Sequence, residues 1–194
     1  RQYLQQGWRV FACCRDSATA TELAKIASDE ALEVVQMDVT DLDSIDRVAA
    51  ELKDIALDML INNAGVFADQ GAPFGQFDYD DWITSFKVNA IGPTKLVEAL
   101  YPNLVKGRLR KVVCLSSQMA SISAAGRDGA YSYRASKAAL NGAMATLARE
   151  LVDPMIHFYL FHPGWVATDM GGSEAPIKPA ESVAQMRQQI EQKN

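Results

Sequence analysis

Cysteine is scarce: the chain of 194 residues has three, Cys13, Cys14 and Cys114. They have neither the numbers of a disulfide framework nor the spacing of a metal site, which argues against a disulfide-stapled secreted domain and against bound zinc. All three fall in apolar runs that read as strands, so reduced core thiols are expected. Basic charge is short as well. With 19 Lys and Arg against 24 Asp and Glu, the formal net charge is −5, which offers no basic face to a nucleic acid or an anionic membrane. No apolar run approaches the roughly 20 residues a spanning helix needs, and Arg1-Gln2-Tyr3 opens no signal-peptide pattern. A cytoplasmic location is the expectation. Internal repeats, low-complexity tracts and linkers are also missing, which predicts one domain over residues 1–194.

What the chain does have is a regular alternation. Hydrophobic residues make up 48% and charged residues 22% of it, enough apolar side chains to fill a core. Arg1 to Gln6 reads as the end of a helix stopped by Gly7, and Trp8 to Cys14 as a buried strand. Arg15-Asp16-Ser17 leads into a helical stretch, Ala18 to Ser28, with Leu23, Ile26 and Ala27 on one side. The unit then repeats. Leu32 to Met37 is a strand, Asp38-Val39-Thr40-Asp41 a turn and cap, and Leu42, Ile45, Val48 and Leu52 a helical stripe. Further apolar strands run from Leu57 to Ile61, Lys111 to Leu115 and Ile156 to Phe161. Long helices are predicted over 80–104 and 133–152, and a last one over 178–194 that starts near Pro179. Strands that are apolar at consecutive positions and alternate with helices point to a parallel sheet covered on both faces. The predicted class is α/β, a doubly wound parallel sheet of the Rossmann type.

In such sheets ligands sit beyond the carboxyl ends of the strands. Arg15 follows the strand expected to meet an adenosine ribose. A cation there, after the neutral Cys14, favours a 2′-phosphate and hence NADP over NAD, the alternative being a plain surface arginine. Asp38 either accepts from an adenine amino group or opens a turn before the next helix. Asn62-Asn63-Ala64-Gly65 combines small residues that admit a flat ligand with an amide able to tie strand ends, though Asn and Gly also favour turns. Ser116-Ser117 puts two hydroxyls at a strand end. Tyr133 and Lys137 stand four apart, at the front of the stripe Leu140, Met144, Leu147 and Leu151, and so share one helix face. A free phenol ionises near ~10, and an ammonium held close favours the phenolate, which makes a tuned proton carrier.

In order along the chain, Asn62-Asn63-Ala64-Gly65, Asn89 within Val88-Asn89-Ala90-Ile91-Gly92-Pro93, Ser117, Tyr133-x-x-x-Lys137 and Pro163-Gly164-Trp165-Val166-Ala167-Thr168 resemble the short-chain dehydrogenase/reductase family. The resemblance covers nearly the whole chain, and the stretches 131–141 and 163–172 are most similar to C-factor and sniffer-type carbonyl reductases. It implies an NADP-dependent oxidoreductase that moves hydride between nicotinamide and a small-molecule carbonyl or alcohol. Tyr133 is then the general acid/base, Lys137 lowers the Tyr133 pKa and binds the nicotinamide ribose, and Ser117 hydrogen-bonds the reacting oxygen. Asn89 helps to hold a relay water behind Lys137, and Ser116 and Ser121 are lesser candidates. For the cofactor the resemblance implies Arg15, Asp38, Val39, Asn63, Ala64 and Gly65, with Tyr133 and Lys137, and Pro163, Gly164, Val166 and Thr168 at the nicotinamide. Thr168 is alternatively a helix cap. No metal is implied. In relatives the two long helices pair between subunits, which raises a homo-oligomer; Ala135, Ala138, Ala139, Gly142 and Ala143 suit either that contact or packing on the chain's own sheet.

Departures from the family pattern carry expectations too. Members open with a strand and a Gly-rich turn of Thr-Gly-x-x-x-Gly-x-Gly type whose amides bind pyrophosphate, and they close with a further strand. The sequence shows none of these, so a partial domain is expected, with strands left unpaired at about 1 to 3 kcal/mol for each unsatisfied group. Ser117 and Tyr133 are further apart than in many relatives, which predicts an insertion in 118–130. Trp165 and Met170 suggest an apolar wall for the substrate. Two other readings compete: a catalytically silent binding or regulatory module on the same fold, and an epimerase or dehydratase of the extended branch, whose substrate domain the length does not accommodate.

Overall fold

The computed structural model describes residues 1–18, 20–26, 30–126, 129–152 and 155–192. A single 3-10 turn, Leu4–Gln6, ends at Gly7, whose φ of 80° is the left-handed conformation glycine adopts at a helix end. There follow β1 (Val10–Cys14), α1 (Thr21–Ala24), β2 (Leu32–Gln36), α2 (Leu42–Glu51), β3 (Met59–Asn62) and α3 (Tyr79–Phe86). A π-helical turn, Lys87–Ile91, joins α3 to α4 (Gly92–Lys106), and β4 (Lys111–Leu115), α5 (Tyr131–Glu150), β5 (His157–Phe161) and α6 (Pro179–Gln192) complete the order.

Among the described residues the named strands pair in parallel, as consecutive apolar strand positions predict. β1 pairs with β2, from Val10 opposite Leu32 to Cys14 opposite Gln36. β4 lies between β3 and β5, with Lys111 opposite both Met59 and His157. Among the described residues these make two sheets, β1-β2 and β3-β4-β5, so β1 and β3 each have one strand partner. What joins the two is helix packing. One apolar cluster unites Val112 and Cys114 of β4 with Val97 and Leu104 of α4 and Leu140 and Met144 of α5. The other unites Val35 of β2 with Ile45 and Val48 of α2 and with Leu96 and Leu100 of α4. Because α4 contributes to both and the partly buried Leu57 and Leu60 pack against both, the β1-β2 unit is held to the rest by apolar side chains, with about 1.5 to 3 kcal/mol from each fully buried leucine such as Leu100.

Three expectations change. The helix expected over 18–28 is a single turn, Thr21–Ala24, with Ala27 and Ser28 outside the described residues. Asp16 accepts from the Ala18 amide at 2.9 Å in a tight turn, and Ala20, directly before the helix, has no side chain to cap it. The helix expected over 80–104 is interrupted by the π-turn. Of the three cysteines Cys114 is buried, but Cys13 is exposed and belongs to neither cluster. Among the small residues of α5, Ala139 packs on the chain's own core, whereas nothing lies within 4 Å of a side chain added at Gly142. No helix among the described residues is long and apolar enough to cross a membrane.

Candidate active site

The carboxyl ends of β3 and β4, the π-turn and the first turns of α5 meet around Asn89. A π-turn holds one residue more than an α-turn, and such widenings recur at functional sites. Asn89, in the middle of this one, is fully buried. Its Nδ2 donates to the Val66 carbonyl at 2.9 Å and to Ser136 Oγ at 3.0 Å, and its Oδ1 accepts from the Val66 amide at 2.9 Å. One side chain thereby ties the segment after β3 to α5. Ser136 passes the connection on, donating to the Tyr133 carbonyl at 2.9 Å.

Tyr133 is 8% exposed and Lys137 is 4% exposed. The Phe67 ring stacks on the Tyr133 ring at 4.4 Å between centroids and 20° between planes. Lys137 Nζ stands 5.9 Å from the Tyr133 ring centroid and donates to the Leu115 carbonyl at 2.7 Å. Burial pushes the Tyr133 phenol above its ordinary range, and the nearby Ser117 hydroxyl offsets part of that rise. Desolvation lowers Lys137 to about 8. Lys137 is anchored on the Leu115 carbonyl beside the ring, and Ser117 is the side chain that opposes burial at the phenol.

Of the three serines raised by the sequence, the structure brings Ser117 to Tyr133. Ser117 has extended backbone and accepts from the Met119 amide at 3.1 Å, opening the 3-10 turn Gln118–Ala120. The Ser116 hydroxyl is spent on Asn141 Oδ1 at 2.7 Å, and Ser121 bonds Ser123 at the surface. Residues 127 and 128, in the segment expected to carry an insertion, lie outside the described residues.

The residues raised for the cofactor line the strand ends that run up to this centre. The Arg15 carbonyl accepts from Gln36 Nε2 at 3.1 Å, and the Arg15 cation lies close enough to act on Asp38. Asp38 Oδ1 accepts from both the amide and the hydroxyl of Thr40 at 2.8 Å; these bonds, with a smaller contribution from Arg15, hold its carboxyl below the usual range. Capping of α2 falls to Asp41, which accepts from the Asp43 amide at 3.1 Å. Val39 presses on the start of α4, where a Cβ at Gly92 would lie 2.5 Å from the Val39 carbonyl oxygen, so only glycine fits. Asn63 and Ala64 are exposed beyond β3. A Cβ at Gly65 would stand 3.4 Å from both Asn89 Oδ1 and Lys137 Nζ, so this glycine lies directly against an amide oxygen and a buried ammonium. Such a set, with the Arg15 cation at the other end, fits a nucleotide that carries ribose hydroxyls and a phosphate.

The segment 163–172 braces itself. Pro163 O accepts from Ser182 Oγ at 2.6 Å, Gly164 has φ 86°, and Val166 forms a bridge with Ile177. Trp165 Nε1 donates to the Gly171 carbonyl at 2.7 Å, and Thr168 Oγ accepts from the Gly171 amide at 3.2 Å. Trp165 and Met170, 56% and 40% exposed, form an apolar lip. Sequence reasoning left three residues of the centre unassigned. Ser136 lay in plain view between Tyr133 and Lys137, whereas Phe67 and Asp69 come from a segment without a motif.

Comparison with known proteins bears on this geometry. A family model described as short chain dehydrogenase matches residues 1–178. The C-signal protein of Myxococcus xanthus is 42% identical over 135 residues, covering 70% of this chain and 81% of its own length. The carbonyl reductase Sniffer of D. melanogaster superposes with a TM-score of 0.86 at 32% identity, over 93% of this chain and 79% of that one. NADPH-bound carbonyl reductase from chicken fatty liver superposes with a TM-score of 0.84 at 34% identity, over 93% and 79%. Against some other curated relatives the chain spans 66% of their length.

Proposed function

The chain belongs to the short-chain dehydrogenase/reductase family, and from that premise we propose that it is an NADP-dependent oxidoreductase interconverting a small carbonyl compound and its alcohol. The observation that carries this reading is the buried Tyr133 side chain with the Lys137 ammonium over its ring and Ser117 close enough to act on the phenol. Bound NADPH supplies the hydride. Tyr133 Oη gives its proton to the carbonyl oxygen in reduction and takes one from the alcohol in reverse. Ser117 Oγ hydrogen-bonds the same oxygen and steadies the charge that develops on it. Lys137 Nζ stabilises the phenolate left behind and holds the nicotinamide ribose, while Asn89 supports a relay water behind it. Arg15 meets the 2′-phosphate, Asp38 and Val39 the adenine, Asn63, Ala64 and Gly65 the centre of the dinucleotide, and Pro163, Gly164, Val166 and Thr168 the nicotinamide.

The same proposal takes residues 1–194 as one domain, with a cytoplasmic location and self-association through α4 and α5. Fluorescence titration with NADPH and NADH, followed by NADPH oxidation in the presence of a panel of aldehydes and ketones, tests the reading. Saturable binding that prefers NADPH, with turnover of at least one carbonyl, is expected; no binding of either nucleotide contradicts it. A second reading, a catalytically silent binding or regulatory module, draws on the 42%-identical relative, which is named a signal and not a reductase. It predicts NADPH binding without turnover of any carbonyl.

A further inference from the structure

Helix α5, which carries Tyr133, starts without a cap of its own. Ala130 precedes it in the left-handed region at φ 58° and has no side-chain acceptor for the first amides, which have no partner within a helix. The acceptor comes from the segment that leaves β3. Asp69 Oδ2 accepts from the Ser132 amide at 2.6 Å and Asp69 Oδ1 from the Tyr133 amide at 3.2 Å. Asp69 is 7% exposed, so little water competes for these bonds.

Two residues earlier, Phe67 stacks on the Tyr133 ring. One short segment therefore grips the tyrosine at both ends, ring and backbone. That segment is itself fixed on either side: Asn89 binds both the amide and the carbonyl of Val66, and Gln70 bridges Gly129. The last contact is close, since a Cβ at Gly129, which has φ 70°, would lie 2.9 Å from the Ala72 carbonyl oxygen. Helix α3 offers the contrast, because its amides are capped locally: Asp78 accepts from Asp80 N at 2.8 Å and Asp81 N at 3.3 Å.

We propose that Asp69 is a positioning residue for Tyr133: reaching across the fold to the first turn of α5, it sets where the phenol stands relative to the substrate oxygen. The proposal rests on the oxidoreductase reading for its catalytic meaning. A misplacement on the order of 1 Å at a proton donor costs up to about 10²-fold in rate without weakening binding, so the loss belongs in kcat.

Hydrogen exchange resolved at the amides of Ser132 and Tyr133, together with steady-state kinetics, tests this on Asp69→Ala, Asp69→Asn and, as a matched cap removal, Asp78→Ala. In Asp69→Ala both amides exchange about tenfold faster or more, and kcat falls about tenfold or more while KM and the NADPH dissociation constant stay within about twofold. Asp69→Asn keeps one acceptor of similar size, recovers part of both losses, and serves as the readout if the alanine variant does not fold. Asp78→Ala leaves kcat within about twofold. Unchanged exchange at Ser132 and Tyr133, a loss carried by KM, or an equal fall of kcat in Asp78→Ala overturns the proposal. If the parent protein turns over no carbonyl while Asp69→Ala still accelerates exchange, the oxidoreductase reading fails and Asp69 is a helix cap alone.

Discussion

The β1-β2 unit and the β3-β4-β5 unit meet a ligand in different ways. In the first, Arg15 is exposed and Asp38 half-buried, and the one buried polar residue described before β3 is Ser44. In the second, Asn62, Asp69, Asn89, Ser116, Ser132, Ser136 and Lys137 are all buried, and most are bonded to backbone or to one another across elements. Groups that only have to recognise a cofactor can stay on a solvated rim. Groups that have to hold a proton donor in place are cross-linked in a dry interior, where an unpaired polar atom is expensive.

Substitutions that remove one crossing point should therefore have unequal effects. Asn89→Ala deletes three hydrogen bonds, leaving the part-buried Val66 amide and carbonyl without that partner and the buried Ser136 hydroxyl without its donor; it is expected to cost about 3 kcal/mol or more in urea denaturation and about 10²-fold in turnover. Asp38→Ala, the counterpart in the first unit, loses the two bonds from Thr40 at a half-buried site. It should cost about 1 kcal/mol and appear mainly as weaker NADPH binding. Equal effects of the two changes would break the comparison.

The apolar cores should not share this asymmetry. Leu140→Ala in the cluster under β4 and Leu52→Ala in the cluster under β2 both truncate buried leucines, and each is expected to cost about 3 kcal/mol by denaturation. A neutral Leu52→Ala would mean that the β1-β2 unit is not bound to the rest through α2 and α4. Smaller again is Arg15→Glu, which replaces a cation by a like charge for the phosphate and should move the ratio of NADPH to NADH affinity at least about tenfold toward NADH, read by titration.

The comparison extends to pH dependence, where the two units contribute at opposite ends. Lys137 is lowered from 10.5 to about 8 in the folded protein, so between those values the unfolded chain binds more protons. Stability from this group then rises with pH across that window, and its buried charge costs stability below about 8. Asp38 is lowered below its ordinary 3.8, so its contribution is present above that value and is lost as acid reaches the folded pKa. Melting temperatures of Lys137→Met and Asp38→Asn across pH should show each variant losing its own limb and keeping the other.

Much of this was legible in the sequence, for a physical reason. Strand Lys111–Leu115 and the stripe Leu140, Met144, Leu147 are written in local periodicity, and Tyr133 with Lys137 in a spacing of one turn. The π-turn was not legible, because Val88 and Ala90 continue the apolar pattern of 80–104 and one extra residue in a turn leaves no mark on composition. Asp69 was hidden for a different reason. Its partners lie 63 and 64 residues away, and no short-range pattern encodes which carboxylate will reach an uncapped helix.

The most direct measurement of the central claim compares NADPH affinity and carbonyl turnover of the parent protein with those of Tyr133→Phe, which removes the phenol oxygen and keeps the ring against Phe67. The account predicts an NADPH dissociation constant within about twofold of the parent and a turnover reduced by about 10²-fold or more. Turnover retained in Tyr133→Phe would contradict the assignment of Tyr133 as the proton donor.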